Sequence, residues 1–417
     1  MLDRIHMFVP FKKSEVIAFG NDIAFGKKSA EVVKYTIKAS LLDLGVRPVG
    51  EVYKDPKTGQ IKADNLRTPW ESLPTSFTGL AVKVYPNSCG TRHMPGIELK
   101  ASPAKLLQGH NVFGPTSIEN GGLVMLKWVA GTYPDLYARL DLENAEVMSM
   151  DCTYSARLPD ERTALQAIQA IRGVSNGQTK CRGDDYETTA YFGAKDSRLR
   201  KLKVYLKHPE YLRQLEEAKS KFGPGYKRTV EVLSDQKLAA WAKCLLRMEV
   251  TVTKRWLERR GISANWKDLC AYQTECKTAG NCLIQWCWEQ VTQELFSAFE
   301  GQTMRVIKDE SVLKALKATH FRQSKSGDIS YSYALSLFRT YRSLKDYGWE
   351  ETQNSMPKAT FNRHIREITQ CGISKAALQK LKQSDQTNNV VPILRFMAVD
   401  FGAQRPSWYV EPRVEAA

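Results

Sequence analysis

A chain of 417 residues is long enough for two or three domains and at least one sizeable core. Its 42% apolar and 25% charged residues are ordinary for a globular protein. The balance of 61 Lys+Arg against 45 Asp+Glu is not: it leaves a net charge of +16, which favours a polyanionic partner, nucleic acid ahead of a membrane surface.

No apolar run approaches the roughly 18 residues of a membrane span. The opening Met1-Leu2-Asp3-Arg4-Ile5-His6 leads into mixed charge without the core of a signal peptide. The nine scattered cysteines fit reduced thiols in a cytoplasm. Cys270, Cys276, Cys282 and Cys287 cluster without C-x2-C spacing, which reads as helix-buried thiols, with a structural zinc as the alternative.

Up to about residue 215 the pattern is one of short strands and turns with few helices. Residues 78–85 and 96–100 read as neighbouring strands across a Pro/Asn/Gly loop, and 147–154 as another strand. Residues 163–172 read as a helix, with Ala164, Leu165, Ile168 and Ile171 at three- and four-residue spacings and Gly173 as its stop. Residues 188–192 and 201–206 form a predicted hairpin across 193–197. A charged helical stretch follows Tyr211 and ends at the breaker Gly223-Pro224-Gly225. Residues 235–244 predict a helix that feeds a strand at 245–253. Residues 255–300 read as mostly helical and carry Trp256, Trp266, Trp286 and Trp288.

Phe299-Glu300-Gly301-Gln302-Thr303 is the predicted boundary, dividing residues 1–300 from 304–417. From Met304 onward 18 Lys+Arg face 11 Asp+Glu, so +7 of the charge lies there. In residues 356–368, Pro357 opens a pattern with Phe361, Ile365 and Ile368 on one face and Arg363 and Arg366 elsewhere, like a DNA-recognition helix, with Lys358 a further candidate DNA contact. A plain amphipathic helix with solvated arginines fits the same residues. Cys371-Gly372-Ile373 would close the helix, and 390–401 would supply wing-like strands. The predicted class is α+β: an antiparallel-sheet domain with flanking helices, then a mainly helical, winged-helix-like DNA-binding region.

The chemistry concentrates on alternating strands. In residues 200–208, Leu202, Val204 and Leu206 alternate with Lys201, Lys203, Tyr205 and Lys207, so the lysines and the phenol share one side of a sheet. A tyrosine flanked by ammonium groups is placed to attack a phosphate, positive charge favouring its phenolate. An edge strand whose lysines discourage association has the same pattern. Attack on a phosphodiester also calls for a metal to offset charge in the transition state. Glu98, Asp151 and Glu249 each stand on the polar side of an alternating strand, and carboxylates are hard ligands suited to Mg²⁺ or Mn²⁺. Each of them also reads as a solvated face residue. The six histidines form no His-x-His pair. His110, in Gly109-His110-Asn111-Val112-Phe113-Gly114, is a candidate to assist a metal or bind DNA, or else a structural loop histidine. Gly-Lys-Ser/Thr loops, Gly-x-Ser-x-Gly elbows and His-Glu-x-x-His motifs do not occur.

These stretches resemble the gene II replication initiators of Ff-type filamentous bacteriophages. The words that carry the likeness include Glu71-Ser72-Leu73-Pro74-Thr75, Lys100 to Lys105, Leu107 to Gly114, Val174 to Lys180, Tyr205-Leu206-Lys207-His208, Asn388 to Pro392 and Gln404-Arg405-Pro406. The resemblance implies a nickase and strand-joining enzyme that opens the viral strand at the origin of double-stranded replicative-form DNA. It would become 5′-phosphotyrosyl-linked, leave a 3′-OH primer for rolling-circle synthesis and rejoin the displaced strand into a single-stranded circle. The family's nucleophile falls on Tyr205. A more distant likeness to plasmid rolling-circle initiators reaches Glu98, Asp151 and Arg247-x-Glu249 and implies the metal role for the three acids.

In the implied mechanism Lys207 and Lys203 stabilise charge on the phenolate or phosphorane, and Arg247 holds a phosphate by a bidentate contact. Tyr211 is a second nucleophile candidate with a structural role as its alternative. The family also implies host helicase and polymerase as partners, self-association at the origin, the host cytoplasm as location, and a shorter DNA-binding product starting at Met304 that inhibits replication. A non-catalytic basic repressor and a metal-dependent hydrolytic nuclease are the competing readings.

Overall fold

A computed structural model describes residues 1–25, 28–56, 59–88, 94–173, 175–176, 179–180, 188–192, 197–299, 309–323, 327–371, 373, 375–379, 381, 398–412 and 414. Its centre is an eight-stranded sheet in which all neighbours run antiparallel. The strands are β1 (Leu2–Pro10), β2 (Glu71–Pro74), β3 (Gly79–Tyr85), β4 (Gly96–Ala101), β5 (Glu146–Arg157), β6 (Thr189–Phe192), β7 (Arg200–Leu206) and β8 (Leu245–Thr253). Their spatial order is β6-β7-β8-β5-β1-β4-β3-β2. The first strand therefore lies mid-sheet, between β5 and β4. Leu2, Ile5, Met7 and Val9 are fully buried there, as a central strand requires.

Period two divides the sheet into two faces. Leu202, Val204, Leu246, Met248, Val250, Met150 and Cys152 sit in the main core. Over them lie the helices α1 (Ile118–Thr132), α2 (Glu161–Gly173), α6 (Trp266–Thr278) and α7 (Leu283–Phe299). The Trp288 indole of α7 donates to the Met248 carbonyl at 3.0 Å. The other face is polar. Cross-strand register aligns Tyr191 with Lys203, Lys203 with Glu249, Glu249 with Thr153, Thr251 with Asp151, and Asp151 with Arg4. At one end this face is closed by α3 (Lys207–Lys219), α4 (Pro224–Leu233) and α5 (Gln236–Ala242), which share a small core with Val112 and Phe113.

The predicted strands fall where alternation places them, and the predicted hairpin pairs Thr189 with Tyr205 and Phe192 with Leu202. Its loop at 193–196 lies outside the described residues. Several features differ. Strand β1 and helix α1 were not predicted. Hairpins Val16–Phe25 with Lys28–Ile37 and Val49–Lys54 with Ile61–Arg67 also stand outside the predicted elements. The charged helix begins at Lys207, because Leu206 is the last extended residue. Pro224, predicted as a breaker, starts α4, with Gly223 at φ +126° before it, α3 having already ended at Lys219.

Beyond residue 308 a second core gathers Val312, Leu316, Leu337, Tyr341, Leu344, Phe361, Ile365 and Ile368. They come from α8 (Asp309–Thr319), α9 (Ser332–Tyr347) and α11 (Lys358–Gln370), with the short α10 (Trp349–Asn354) between the last two. Met304, the boundary residues 300–303, Gly372 and most of the expected wing (390–397) lie outside the described residues; the part that is described, Asp400 to Phe401 with its neighbours, is not strand. Val399, Phe401 and Val414 return to the first core. The Phe401 ring meets Tyr154 edge-on at 5.0 Å and Trp288 at 5.7 Å. Gln404 exchanges hydrogen bonds with the Ser155 backbone, accepting at 2.8 Å and donating at 2.9 Å. Among the described residues no helix is long and apolar enough to cross a membrane.

Candidate active site

Tyr205 points to the polar face near the end of β7 and is only 3% exposed. Its hydroxyl donates to Glu249 Oε2 at 3.2 Å, across the β7–β8 pair. The Lys203 ammonium lies 4.1 Å from the centre of the Tyr205 ring, over its π face, and 6.0 Å from that of Tyr191. The expectation that lysines would favour the phenolate is reversed by this arrangement. Burial, and then the Glu249 carboxylate, push the phenol well above its usual range, with Arg247 alone among the main contributors opposing. Glu249 in turn is pushed up to about 7 by burial, then by Asp151 and Asp3, against Lys203 and Arg4.

Asp151 is buried and is gripped on both sides. Arg4 approaches it with Nε at 2.9 Å and Nη2 at 3.2 Å, and the Thr251 hydroxyl donates to it at 2.6 Å. Burial raises its carboxyl above the usual range in spite of Arg4. Glu98 stands apart, two strands from Asp151 on β4. It has the His6 ring at 3.4 Å, the Tyr85 hydroxyl at 3.4 Å and Lys100 at 3.9 Å. Among the described residues no group of three or more His, Cys, Asp or Glu side chains is arranged to hold a metal ion. The face thus offers a divalent ion two neighbouring carboxylates, Asp151 and Glu249, one of them occupied by Arg4. The clustered cysteines are free thiols, partly or wholly buried, and Cys282 lies 3.7 Å from the Tyr154 hydroxyl.

Three residues expected at the phosphate have other partners. Arg247 is 1% exposed, and its guanidinium donates to the Asn111 and Val112 carbonyls and, at 3.4 Å, to Ser155 Oγ. Lys207 is fully buried in the first turn of α3, paired with Glu210 and donating to Asn111 Oδ1 at 2.8 Å. Burial lowers its ammonium to about 8, against Glu210. His110 is folded into its loop: Nδ1 accepts from the Val112 amide at 3.3 Å and the ring meets Phe113 edge-on. Burial, with Lys207 and Arg247 behind it, holds that imidazole down to about 3, so it is neutral. Tyr211 is also buried, donating to the Leu233 carbonyl.

Sequence reading missed Asp3, Arg4 and Asn111. Asp3 accepts from Asn111 Nδ2 at 2.9 Å and Ser102 at 3.2 Å, and Arg247 and Lys207 hold its carboxyl below the usual range against burial. A register shift between Leu2 and Arg4 interrupts the alternation of β1, so period two could not align Arg4 with Asp151.

In the second unit, α10 and α11 are joined by the three residues Ser355-Met356-Pro357. Phe361, Ile365 and Ile368 are buried as predicted, while Arg363 and Arg366 are exposed on the opposite side of α11 and Lys358 is exposed in its first turn.

Fold and site together define an α+β protein whose sheet presents a tyrosine–carboxylate pair on a polar face and whose C-terminal unit is basic and helical. The chain belongs to the family of phage replication-associated proteins, the gene II proteins. The family's N-terminal description matches residues 1–269, and its C-terminal description matches residues 324–415. The replication-associated protein of Enterobacteria phage f1 is 37% identical over 426 residues, covering 100% of both chains. Its counterpart from Salmonella phage IKe is 38% identical over 424 residues, covering 99% of this chain and 96% of the relative. No solved structure matches the chain.

Proposed function

We propose that this protein initiates rolling-circle replication of phage DNA by nicking and rejoining one strand through Tyr205. The observation that carries the reading is the hydrogen bond from the Tyr205 hydroxyl to Glu249 on the polar face, in a chain of the phage replication-associated family. A phenol with a raised pKa does not ionise unaided at neutral pH, so it needs a base within hydrogen-bond reach; Glu249 is in that position.

In the first step the Tyr205 oxygen attacks the phosphorus of the viral strand at the origin. Its proton passes to Glu249, the P–O3′ bond breaks, and the departing oxygen takes a proton to become a 3′-OH primer. The 5′-phosphate stays on Tyr205 as a phosphodiester. Because one phosphoester replaces another, a later attack by a 3′-OH on this link closes the displaced strand into a circle without ATP and releases the phenol. A divalent ion, Mg²⁺ or Mn²⁺, held by Asp151 and Glu249 beside the Arg4 contact would supply charge neutralisation at the phosphate.

The exposed Lys358, Arg363 and Arg366 of α11 would approach duplex DNA, and the same unit made alone from Met304 would compete for it. Host helicase and polymerase then act from the primer, in the host cytoplasm. Incubating the protein with supercoiled origin DNA and Mg²⁺ and running the end-labelled product on an SDS gel tests the chemistry. A protease-sensitive protein–DNA adduct that disappears in Tyr205→Phe is expected. A free 5′-phosphate would instead identify a hydrolytic nuclease, and binding without a nick would identify a repressor.

A further inference from the structure

We infer that Arg4 is a phosphate-gripping residue, holding the backbone of a single DNA strand laid across the sheet at a phosphate other than the one Tyr205 meets. The inference rests on the proposed function for the identity of the ligand, and on the following geometry for the site.

Arg247, the guanidinium that spacing singled out, is buried under the loop at 111–112 with donors on its carbonyls. Arg4 is the reverse case: its side chain is 48% exposed while its partner Asp151 is 3% exposed. Asp151 takes only the Nε–Nη2 edge of the fork. A guanidinium has five N–H donors, so the second Nη2 hydrogen and both Nη1 hydrogens point away from that carboxylate. The carboxylate is itself fixed by Thr251 at 2.6 Å. The cation is therefore held in one orientation before any ligand arrives, which lowers the ordering cost of gripping an anion.

Its surroundings fit a nucleic acid strand. Lys203 and Lys100 stand on the same face, and Tyr191 and Trp70, each 40% exposed, offer rings beside those two lysines, at 6.0 Å and 4.0 Å. Ammonium groups beside exposed rings are the elements of a single-strand track, phosphates on the cations and bases on the rings. Arg4 lies three strands from Tyr205, about 14 Å of lateral separation at the usual ~4.8 Å spacing. That separation assigns it a phosphate further along the strand rather than the one under attack.

The test uses full-length Tyr205→Phe protein, so that binding is read without chemistry, and a fluorescein-labelled 20-nucleotide oligothymidylate. On a single strand each phosphate contact contributes about 0.7 to the slope of log K against log salt. Adding Arg4→Gln is expected to lower that slope by about 0.7 and to weaken binding about tenfold at low salt. Adding Thr251→Val instead, which loosens the carboxylate but keeps both charges, is expected to leave the slope unchanged. If Arg4→Gln lowers thermal stability and does not move the slope, the pair is structural and the inference is wrong. Should Arg4→Gln fail to fold, Arg4→Lys decides: a kept slope with severalfold weaker binding supports a bidentate grip, and unchanged affinity overturns it. Adduct formation by the protein with Tyr205 intact is read separately, so loss of the nicking reading and loss of this one are distinguishable.

Discussion

A phenol as enclosed as Tyr205 is a poor nucleophile until something takes its proton, and Glu249 is the group its hydroxyl touches. Replacing Glu249 with Gln keeps the size and a hydrogen-bond acceptor but removes the base. Nicking by Glu249→Gln should fall by about 10²–10⁴, while oligonucleotide affinity stays within a few-fold; an unchanged single-turnover rate would exclude the base role. Lys207 illustrates the opposite outcome of the same spacing argument. With folded-state ionisation near 8 against 10.5 in the open chain, the unfolded state binds more protons between those values. Stability from this group is therefore lowest below pH 8 and rises as pH climbs towards 10.5. Thermal unfolding across that window should show the rise in the parent protein and lose it in Lys207→Met. Alternation made Tyr205, Lys203 and Glu249 legible as one face, but it was extended one residue too far: β7 ends at Leu206, and Lys207 turns into a helix that buries it.

At the scale of elements, what the sequence could not display is how strands far apart in the chain become neighbours. Asp151 and Glu249 lie about a hundred residues apart and were readable as polar-face residues of separate strands; only the β5–β8 pairing brings them near each other. Glu98 carried the same local signature, yet β1 inserts between β4 and β5 and leaves it two strands away. The predicted face is observed, while the predicted convergence of three acids is not. Helix α1 escaped detection because it is apolar nearly all round and contains three glycines, Gly121, Gly122 and Gly131, which lower helix propensity. Two of them are packing contacts. A Cβ on Gly122 would lie 2.5 Å from the Trp266 ring, a rigid neighbour, whereas one on Gly131 would meet nothing within 4 Å. Gly122→Ala should therefore lower stability by about 1–3 kcal/mol through overpacking, and Gly131→Ala should raise it by about 0.5–1 kcal/mol. Denaturant unfolding of the two variants should give shifts of opposite sign; shifts of the same sign would contradict this account of the helix.

At the scale of the whole molecule, the C-terminal segment 398–412 is tied to the site formed by the large sheet. The tail from Val399 packs on the main core, and its Trp408 and Tyr409 meet the Phe113 ring edge-on at 5.3 Å and 5.2 Å. Phe113 belongs to the loop whose Asn111 and Val112 carbonyls hold Arg247 and whose Asn111 side chain receives Lys207. Arg247 stands directly across from Tyr205 in the β7–β8 register. A brace thus runs from the tail through the loop to the strand beside the nucleophile, while the separate core of α8, α9 and α11 does not take part in it. Phe401 is where the tail is anchored, between Tyr154 and Trp288. Phe401→Ala should cost about 2 kcal/mol, less than the 3–5 kcal/mol of a fully buried phenylalanine because the ring is only partly enclosed. Amide exchange should then speed up both at 398–412 and in the loop at 109–114, and adduct formation should slow more than DNA binding weakens. Faster exchange in the tail with an unchanged loop would mean that the tail covers the sheet without bracing the site.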